Sequence, residues 1–373
     1  QGNLNLSNVE VTNSQAGADL NAGGSVTINN SHFNNNEDFG VDIDAGSSII
    51  VKNSSFNGNG STGLRALTNA DIGLKAVTTN GNFLLGAHLE GSDVIVSDSF
   101  FSNNGSGSGS NLVGGGLEVV GNNVASFGTG DVSLFNVVAD NNQLFGANIQ
   151  TIDGNVAIGG ISSFSGQLSY VYDPISNEIT SRGGGYGLQV VTTTGEIALK
   201  GVTTNSNYLY GTSLQGVNVA IADSFFSSNG SGSITEPVAG YGYGLKVISS
   251  GEVALNHVEA NKNQLYGADI MATGNVGISA GVGQTNFFSE NRSVANIPDE
   301  DSIFYGYGLT VYSTAGDITL NQVEANFNNL WGASLDGLNI DVANSKFNNN
   351  ITETVSFIDD TGLLINSRDF FVV

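Results

Sequence analysis

The segment GEVALNHVEANKNQLYGAD, residues 251–269, contains the pattern that decides the fold. Val253 and Leu255 alternate with other residues, so both side chains lie on one side of an extended chain. Val258 and Ala260 follow five and seven residues after Val253. Alternation over a few residues is typical of a half-buried strand. The segment therefore predicts short strands separated by polar corners.

The end of this segment contains a landmark that recurs thirteen times: Gly, usually Ala or Leu, any residue, and usually an aliphatic. Its glycines are Gly17, Gly40, Gly63, Gly86, Gly116, Gly146, Gly187, Gly211, Gly244, Gly267, Gly308, Gly332 and Gly362. The shortest spacing between them is 23 residues, and the longest is 41. A minimum spacing with additions indicates one fixed coil that accepts insertions.

Coils of about 23 residues with three short strands predict an all-β fold, a right-handed parallel β-helix (β-solenoid) of about 13 coils. One coil cannot bury its apolar side alone, so stacking of coils supplies the core. We expect one β-helix domain over residues 1–373. From Gly63 onward, Leu follows the landmark in one coil and Ala or Thr in the next. Large and small core residues should therefore alternate along the stack.

The longer spacings predict loop insertions at one corner of alternate coils. They fall at about 102–115, 121–130, 163–185, 227–242, 286–306 and 348–361. One of them is predicted to contain a hairpin from Leu168 to Thr180, around Asp173 and Pro174. Insertions on one face of a repeat protein often form its interacting face. The ledge of loops is thus one candidate partner surface, with tolerated solvent loops as the alternative.

Composition excludes several functional classes. Net charge is -24 at pH 7, from 34 acidic and 10 basic residues, so binding to nucleic-acid phosphates is not expected. The sequence has no long apolar run for membrane insertion. It has no cysteine, which excludes disulfides, thiolate metal sites and a catalytic thiol.

Two columns of asparagine precede the landmark, at six and four residues before the glycine. They comprise Asn34 and Asn36, Asn57 and Asn59, Asn80 and Asn82, Asn205 and Asn207, Asn261 and Asn263, and Asn326 and Asn328. Asn tolerates left-handed turns, and stacked Asn side chains can hydrogen-bond along a ladder of strands. We interpret both columns as structural.

The position before the landmark is aromatic in many coils. The candidate residues for a glycan or partner surface are Tyr186, Tyr210, Tyr243, Tyr266, Tyr307 and Trp331. This position shares the parity of the aliphatic residues that follow the glycine, which favours rings stacked in the core or at a corner. The alternative is an exposed strip on which sugar rings stack.

Catalytic and metal motifs are sparse. His32, His88 and His257 lie on different coils without metal-ligand spacing, and Asp19 and Asp42 form an outward pair of the kind that usually is only surface. We predict no catalytic residues and no resident cofactor. Calcium prefers clustered oxygens, so its candidate ligands are Asp299, Glu300, Asp301, Asp341, Asp359 and Asp360, although solvated acidic loops are the favoured interpretation.

The repeats resemble those of large bacterial surface or adhesin-type proteins with the pectate-lyase-like right-handed β-helix. Residues 251–261, followed by Leu265–Ala268, carry this resemblance. It implies the fold across nearly the whole chain but no single activity, because that superfamily includes lyases, polygalacturonases, tailspikes, adhesins and passive stalks. Of the polygalacturonase pattern only the pair Asp359 and Asp360 is present, and the arginines are isolated.

Two functions from different classes follow. The first is a structural or adhesive extracellular β-solenoid in a bacterial surface fibre, stalk or sheath. It would associate end to end or laterally through the loops, because the pattern runs from Leu4 to Ile365 without polar caps. The alternative is a module that binds or cleaves an extracellular polysaccharide.

Overall fold

The computed structural model describes residues 2–105, 114–121, 130–168, 185–230, 242–292 and 306–350, and the strands at 172–173, 178–179 and 356–358. This part of the chain is all-β. It divides into two compact units, Gln1–Gly195 and Glu196–Val373. In both units the coils stack through parallel strand pairs, as the repeat predicts.

The landmark strands form one face of each coil. Numbered in chain order, they are β3 Ala18–Ala22, β6 Val41–Ala45, β8 Leu64–Thr68, β10 Ala87–Gly91, β12 Gly115–Gly121, β14 Phe145–Thr151 and β19 Tyr186–Thr192 in the first unit. The second unit has β22 Thr212–Gly216, β24 Tyr243–Ser249, β26 Tyr266–Ala272, β29 Tyr307–Ser313, β32 Ala333–Asp336 and β34 Ser356–Ile358. Consecutive landmark strands of each unit pair in parallel, in the register of the landmark.

The second strands form another parallel face. They are β1 Leu4–Ser7, β4 Val26–Asn29, β7 Ile49–Lys52, β9 Ile72–Lys75, β11 Val94–Phe100, β13 Val132–Val138 and β15 Val156–Gly159 in the first unit, and β20 Ile197–Lys200, β23 Val219–Phe225, β25 Val253–Glu259, β27 Val276–Ser279, β30 Ile318–Asn321 and β33 Ile340–Ala343 in the second. The short third strands are β2 Glu10–Thr12, β5 His32–Asn34, β16 Ser162–Ser163, β21 Val202–Thr203, β28 Asn286–Phe287 and β31 Val323–Glu324. In β11, β13, β23 and β25 the second and third strands join around a left-handed residue such as His257 (φ 53°).

One predicted insertion contains the expected hairpin. The strands β17 Tyr172–Asp173 and β18 Glu178–Ile179 pair antiparallel, with Tyr172 opposite Ile179. Most other predicted insertion residues lie outside the described ranges.

The core follows the alternation of the sequence. Val253 and Leu255 of β25 are buried, as are Val258 and Ala260 after the bend. One interior column alternates in size: Phe33, Phe56, Thr79, Phe101, Ala139 and Phe164 in the first unit, and Thr204, Phe226, Ala260, Phe288, Ala325 and Phe347 in the second. The predicted alternation of large and small residues is thus confirmed from Thr79 onward. Interdigitation of this kind fills the interior at high density.

Eleven of the landmark glycines lie where a side chain has no room: Gly17, Gly40, Gly63, Gly86, Gly116, Gly146, Gly211, Gly244, Gly267, Gly308 and Gly332. A Cβ on Gly267 would lie 2.4 Å from the carbonyl oxygen of Gly308 and 2.6 Å from that of Ala260. Both are backbone atoms of the stack and cannot rotate away. The landmark is therefore a packing requirement, because neighbouring coils approach closely at this corner.

The asparagine columns form hydrogen-bond ladders, as predicted; the buried ladder is continuous in the second unit and interrupted in the first at Asn142, whose Nδ2 has no hydrogen-bond partner. In the second unit each buried side-chain amide donates to the Oδ1 of the Asn in the next coil, at 3.0–3.2 Å, through Asn207, Asn229, Asn263, Asn291, Asn328 and Asn350. The same Oδ1 atoms accept the backbone N–H of the preceding coil. The second column bonds backbone to side chain, as in Ser289 N to Asn261 Oδ1 at 2.7 Å. The buried amides of the second-unit ladder are thus paired from coil to coil.

The variant Asn263→Ala is expected to lower the free energy of unfolding by about 2–4 kcal/mol, because it leaves buried donors without acceptors. Oδ1 of Asn263 accepts both the backbone N–H and the Nδ2 of Asn229, at 2.9 and 3.1 Å. Urea unfolding measures the loss. Asn256→Ala is the matched control, since Asn256 is exposed on β25 and should change stability by less than about 0.5 kcal/mol. Equal losses in the two variants would contradict the role of the ladder.

Candidate functional site

The aromatic rings stack at the corner before the landmark strands, which is one of the two predicted placements, and the stacked tyrosines of the second unit do not lie in the core. Gly267 and Ala268 both face the interior, so the alternation shifts by one residue there. In the second unit the preceding rings, Tyr243, Tyr266, Tyr307 and Trp331, therefore lie at the surface, half-exposed, whereas Phe145 at the same position of the first unit is buried. In β24, Nζ of the outward Lys246 lies 5.5 Å from the ring centroid of Tyr243, on the same face.

The tyrosine rings of the second unit cover one another. Tyr243 stacks on Tyr266 with centroids 4.8 Å apart, and Tyr266 on Tyr307 at 4.7 Å, all nearly parallel. Trp331 meets Tyr307 edge-on at 5.4 Å. Ring faces that pack on each other inside the stack cannot also receive a sugar ring. The column thus offers ring edges and hydroxyl groups.

The other two predicted aromatic residues are Tyr186 and Tyr210. In the first unit, Tyr186 stacks on Phe145 at 5.5 Å, and burial together with the Glu118 charge raises the pKa of the Tyr186 hydroxyl. Tyr210 is half-buried in the second unit.

Charged residues of the outer landmark face pair from coil to coil. Arg65 Nη1 lies 2.7 Å from Asp42 Oδ1 on the adjacent strand. His88 Nδ1 lies 2.8 Å from Glu118, and this hydrogen bond holds the pKa of Glu118 below its usual value. On the second-strand face, His257 Nδ1 lies 3.0 Å from Asp223 Oδ1. These groups are occupied by contacts within the fold rather than gathered around a vacant centre.

An open groove of about 470 Å³ follows the third strands of the second unit. Its lining residues are Ser227, Ser228, Glu259, Asn261, Lys262, Phe287, Ser289, Glu290, Glu324, Asn326 and Phe327. The pairing of the strands places acidic and aromatic residues side by side, because Glu259 pairs with Phe287 and Phe287 pairs with Glu324. We name it the third-strand groove. The ladder in which side chains accept backbone N–H groups, formed here by Ser227, Asn261, Ser289 and Asn326, lies among the acidic and aromatic side chains of the groove.

Two lysines neutralise part of the acidity of the third-strand groove. Nζ of Lys346 lies 2.7 Å from Glu324, and Nζ of Lys262 lies 3.9 Å from Glu290. Phe327 is 50% exposed. Carboxylates, amides and an exposed ring together can bind a polyhydroxylated chain, accepting hydrogen bonds from its hydroxyls and packing on its apolar faces.

Sequence analysis missed this groove. The equivalent column of the first unit has one carboxylate, Glu10, in its first coil, and continues with His32, Ser55, Thr78, Phe100, Val138 and Ser163. The sequence does contain a signal for the groove, because its acidic and aromatic residues come directly before each Phe or Ala of the interior column. Reading that position along the second unit gives Phe225, Glu259, Phe287, Glu324 and Lys346.

A separate electrostatic feature is Asp140, which occupies an asparagine position of the backbone-bonding ladder. Its Oδ1 accepts hydrogen bonds from Ser165 N at 2.6 Å and Ser163 Oγ at 2.8 Å. Burial raises the pKa of the Asp140 carboxyl, against these two hydrogen bonds, which lower it. The folded state thus disfavours the charged form at this position.

Asp140→Asn is expected to increase stability at pH 7, since the amide keeps the Oδ1 acceptor and removes the buried charge. A carboxyl whose folded pKa is raised destabilises the fold when ionised, and this penalty disappears as the pH falls below its ordinary value of 3.8. Urea unfolding at pH 7 and near pH 3 tests this, with the gain expected only at pH 7. A gain of equal size at both pH values would contradict the electrostatic cause.

The predicted calcium ligands Asp299, Glu300, Asp301, Asp359 and Asp360 lie outside the described residues, and Asp341 is exposed on β33. Among the residues that the structure describes, no three His, Asp, Glu or Cys side chains form a group able to hold a metal ion. The same part of the chain contains no helix of the length and apolarity needed to cross a membrane.

Comparison with known proteins agrees with this architecture. Residues 1–149 match the family model described as right handed beta helix region. No curated protein and no solved structure gives a significant match. The chain is thus a parallel β-helix protein, and its first 149 residues match the right-handed β-helix family.

Proposed function

We propose that this β-solenoid is a structural scaffold of a bacterial cell surface, as part of an extracellular fibre, stalk or sheath. The observation that carries the proposal is the amide ladder along the stacked coils, which is unbroken in the second unit. In the second unit, six asparagines bond successive coils through Nδ2 and Oδ1. Such ladders hold a stack together at every step without a ligand.

The use of the reactive side chains supports the same proposal. All three histidines hydrogen-bond to a neighbouring coil: His32 to Ser55, His88 to Glu118 and His257 to Asp223. A catalytic base must instead be within reach of its substrate. We infer that the chain is not an enzyme and that its polar residues stabilise the stack.

The surface location rests on composition and on the resemblance of the repeats. A net charge of -24 keeps a long acidic stack soluble and separates it from other acidic surfaces. We propose that assembly into a fibre uses end-to-end contacts or lateral contacts through the loops.

Immunogold electron microscopy of intact source cells tests the scaffold proposal. Antibodies raised against the purified chain should label fibres or a layer outside the cell. Labelling confined to the cell interior would overturn the proposal. Antibodies against a cytoplasmic protein, on the same cells, control for broken envelopes.

The third-strand groove favours a second candidate function, the binding of an extracellular polysaccharide. Its exposed Phe327 has a left-handed backbone (φ 59°), where the equivalent positions of the first unit include Asn35, Asn103 and Asn141. A bulky residue in this conformation is less stable than Asn or Gly. A ring retained at such a position is consistent with a ligand contact.

Phe327→Asn is expected to raise the free energy of unfolding by up to about 1 kcal/mol and to weaken oligosaccharide binding about 5-fold. The first effect follows from relief of the left-handed backbone, and the second from loss of an aromatic contact of about 1 kcal/mol. Titration calorimetry against a panel of neutral and amino-sugar oligosaccharides measures the binding. Phe135→Ala, at a 53% exposed ring of the first unit, is the control that should retain it. Absence of binding to the whole panel by the wild-type chain would remove this candidate.

A further inference from the structure

The outer face of β24, β26 and β29 in the second unit carries an exposed apolar column. Ile248, Met271 and Tyr312 are register partners on the three consecutive strands. They are 36%, 37% and 46% exposed. Beside them lie Lys246 and Asp269, and next to those the tyrosine stack. We call the surface formed by Ile248, Met271, Tyr312, Lys246, Asp269, Tyr243 and Tyr266 the tyrosine face.

The β-helix architecture does not require apolar residues in this column. In the first unit the equivalent partners include Glu90, Val120, Gln150 and Val191, so apolar and polar side chains alternate. Three consecutive large apolar residues beside stacked tyrosines occur in the second unit. Aromatic residues and methionine are enriched in protein interfaces, and a contiguous exposed apolar patch usually marks a contact surface.

The charges of the tyrosine face are complementary to themselves. Lys246 and Asp269 are direct register partners on neighbouring strands, so a cation and an anion lie side by side near its centre. A two-fold axis between β24 and β26 would place Lys246 against Asp269 of a second copy, and Asp269 against Lys246. The same axis would place Ile248 against Met271 and Tyr243 against Tyr266. An isologous interface needs this type of self-complementary patch.

The Asp269 carboxylate is able to pair with a second cation in addition to Lys246 of its own chain. Its Oδ1 accepts a hydrogen bond from Thr310 at 2.8 Å, and burial raises the pKa of the Asp269 carboxyl despite the charge of Lys246. Nζ of Lys246 meanwhile lies over the Tyr243 ring. A second lysine against Asp269 would favour its charged form and compensate for its desolvation.

We propose that the tyrosine face binds a second copy of this chain face to face. The two-fold axis runs parallel to the strands, between β24 and β26, so the coils of the two copies stack in opposite directions. Two flat sheets that pack through their faces lie about 10 Å apart, which allows side chains of this size to interdigitate. This contact uses strand faces rather than coil ends or loops, so it does not depend on the scaffold function proposed above.

Sedimentation velocity over a range of concentrations tests for the dimer, with the wild-type chain expected to form dimers reversibly. Met271→Glu should weaken dimerisation at least about 100-fold, because it places two carboxylates inside an apolar contact. The side chain is on the outer surface, so the circular dichroism spectrum should remain that of the wild type, while the melting temperature should fall only by the stabilisation that the dimer provides. Ala254→Glu, at an exposed outward position of β25 on the second-strand face, is the control for added charge. It should weaken dimerisation much less.

Charge exchange identifies the partner as a second copy. Lys246→Asp and Asp269→Lys should each be monomeric, because each creates two like-charge contacts across the axis. An equimolar mixture of the two variants should form a heterodimer, since every contact across the axis is then between opposite charges. A wild-type chain that is monomeric at all concentrations would overturn the proposal. So would a dimer unaffected by Met271→Glu, or variants that fold but fail to associate when mixed.

Discussion

Replacing Gly267 with alanine is expected to lower the free energy of unfolding by about 4 kcal/mol or more, or to prevent folding. The new Cβ would lie 2.4 Å from the Gly308 carbonyl oxygen, 2.6 Å from that of Ala260, and 2.7 Å from Asn291 Nδ2. Two of these atoms are backbone, and the third belongs to the buried amide ladder. Relief of the clash would therefore require the coils to separate at this corner.

Gly277→Ala is the control for this substitution. Gly277 lies on the outer side of β27, where a Cβ would meet no atom within 4 Å. Alanine should there leave stability unchanged or raise it by up to about 1 kcal/mol, because it restricts the unfolded chain. Urea unfolding of both variants gives the comparison. If Gly267→Ala unfolds at the same urea concentration as Gly277→Ala, close packing does not explain the landmark.

The second large effect is expected for Phe101→Ala, which should cost about 3–5 kcal/mol. The ring is fully buried, and its neighbours in the interior column are the small residues Thr79 and Ala139. Small neighbours on both sides cannot move far enough to fill the space. The substitution therefore leaves a cavity in addition to the loss of apolar burial.

Phe100→Ala tests the same side-chain truncation at the adjacent position. Phe100 is 48% exposed and points away from the interior. Its loss should cost less than about 1 kcal/mol. Comparable destabilisation by the two variants would contradict the assignment of inward and outward positions at the end of β11.

The landmark and the alternation predict most of the fold because a period is visible without knowing which coils touch. The alternation at Val253 and Leu255 places both in the core, where they are buried. The asparagine columns were predictable for the same reason, since Asn263 recurs at a fixed distance from the next glycine. Local chemistry and repetition were sufficient for these features.

The aromatic column shows where period alone fails. Simple alternation from Ala268 backwards puts Tyr266 inside, whereas Gly267 takes an interior position itself and shifts Tyr266 outward. The shift exists because the glycine has no side chain and accepts the neighbouring backbone at its Cα. Only the packing of adjacent coils reveals this.

The third-strand groove could not be assembled from spacing. Glu259 and Phe287 are 28 residues apart, and Phe287 and Glu324 are 37 apart, yet each pair lies on adjacent strands. Insertions of different length separate them along the sequence. Their proximity is a property of strand register, which the sequence specifies through the landmark rather than through any motif of their own.

The central claim is that successive coils stack in the register set by the landmark glycines. Paired cysteines test it most directly, because the chain has no cysteine of its own. Asp19 pairs with Asp42, and Asp42 with Arg65, on adjacent strands. Neighbouring strands are about 4.8 Å apart, within the Cα separation that a disulfide can bridge, whereas two strand steps exceed it.

Oxidation of the double variant Asp19→Cys/Asp42→Cys, followed by peptide mapping under non-reducing conditions, is therefore the decisive measurement. The register predicts an intramolecular disulfide in this variant and none in Asp19→Cys/Arg65→Cys. Equal disulfide yields in the two variants, or a bond formed only between the residues two strands apart, would contradict it.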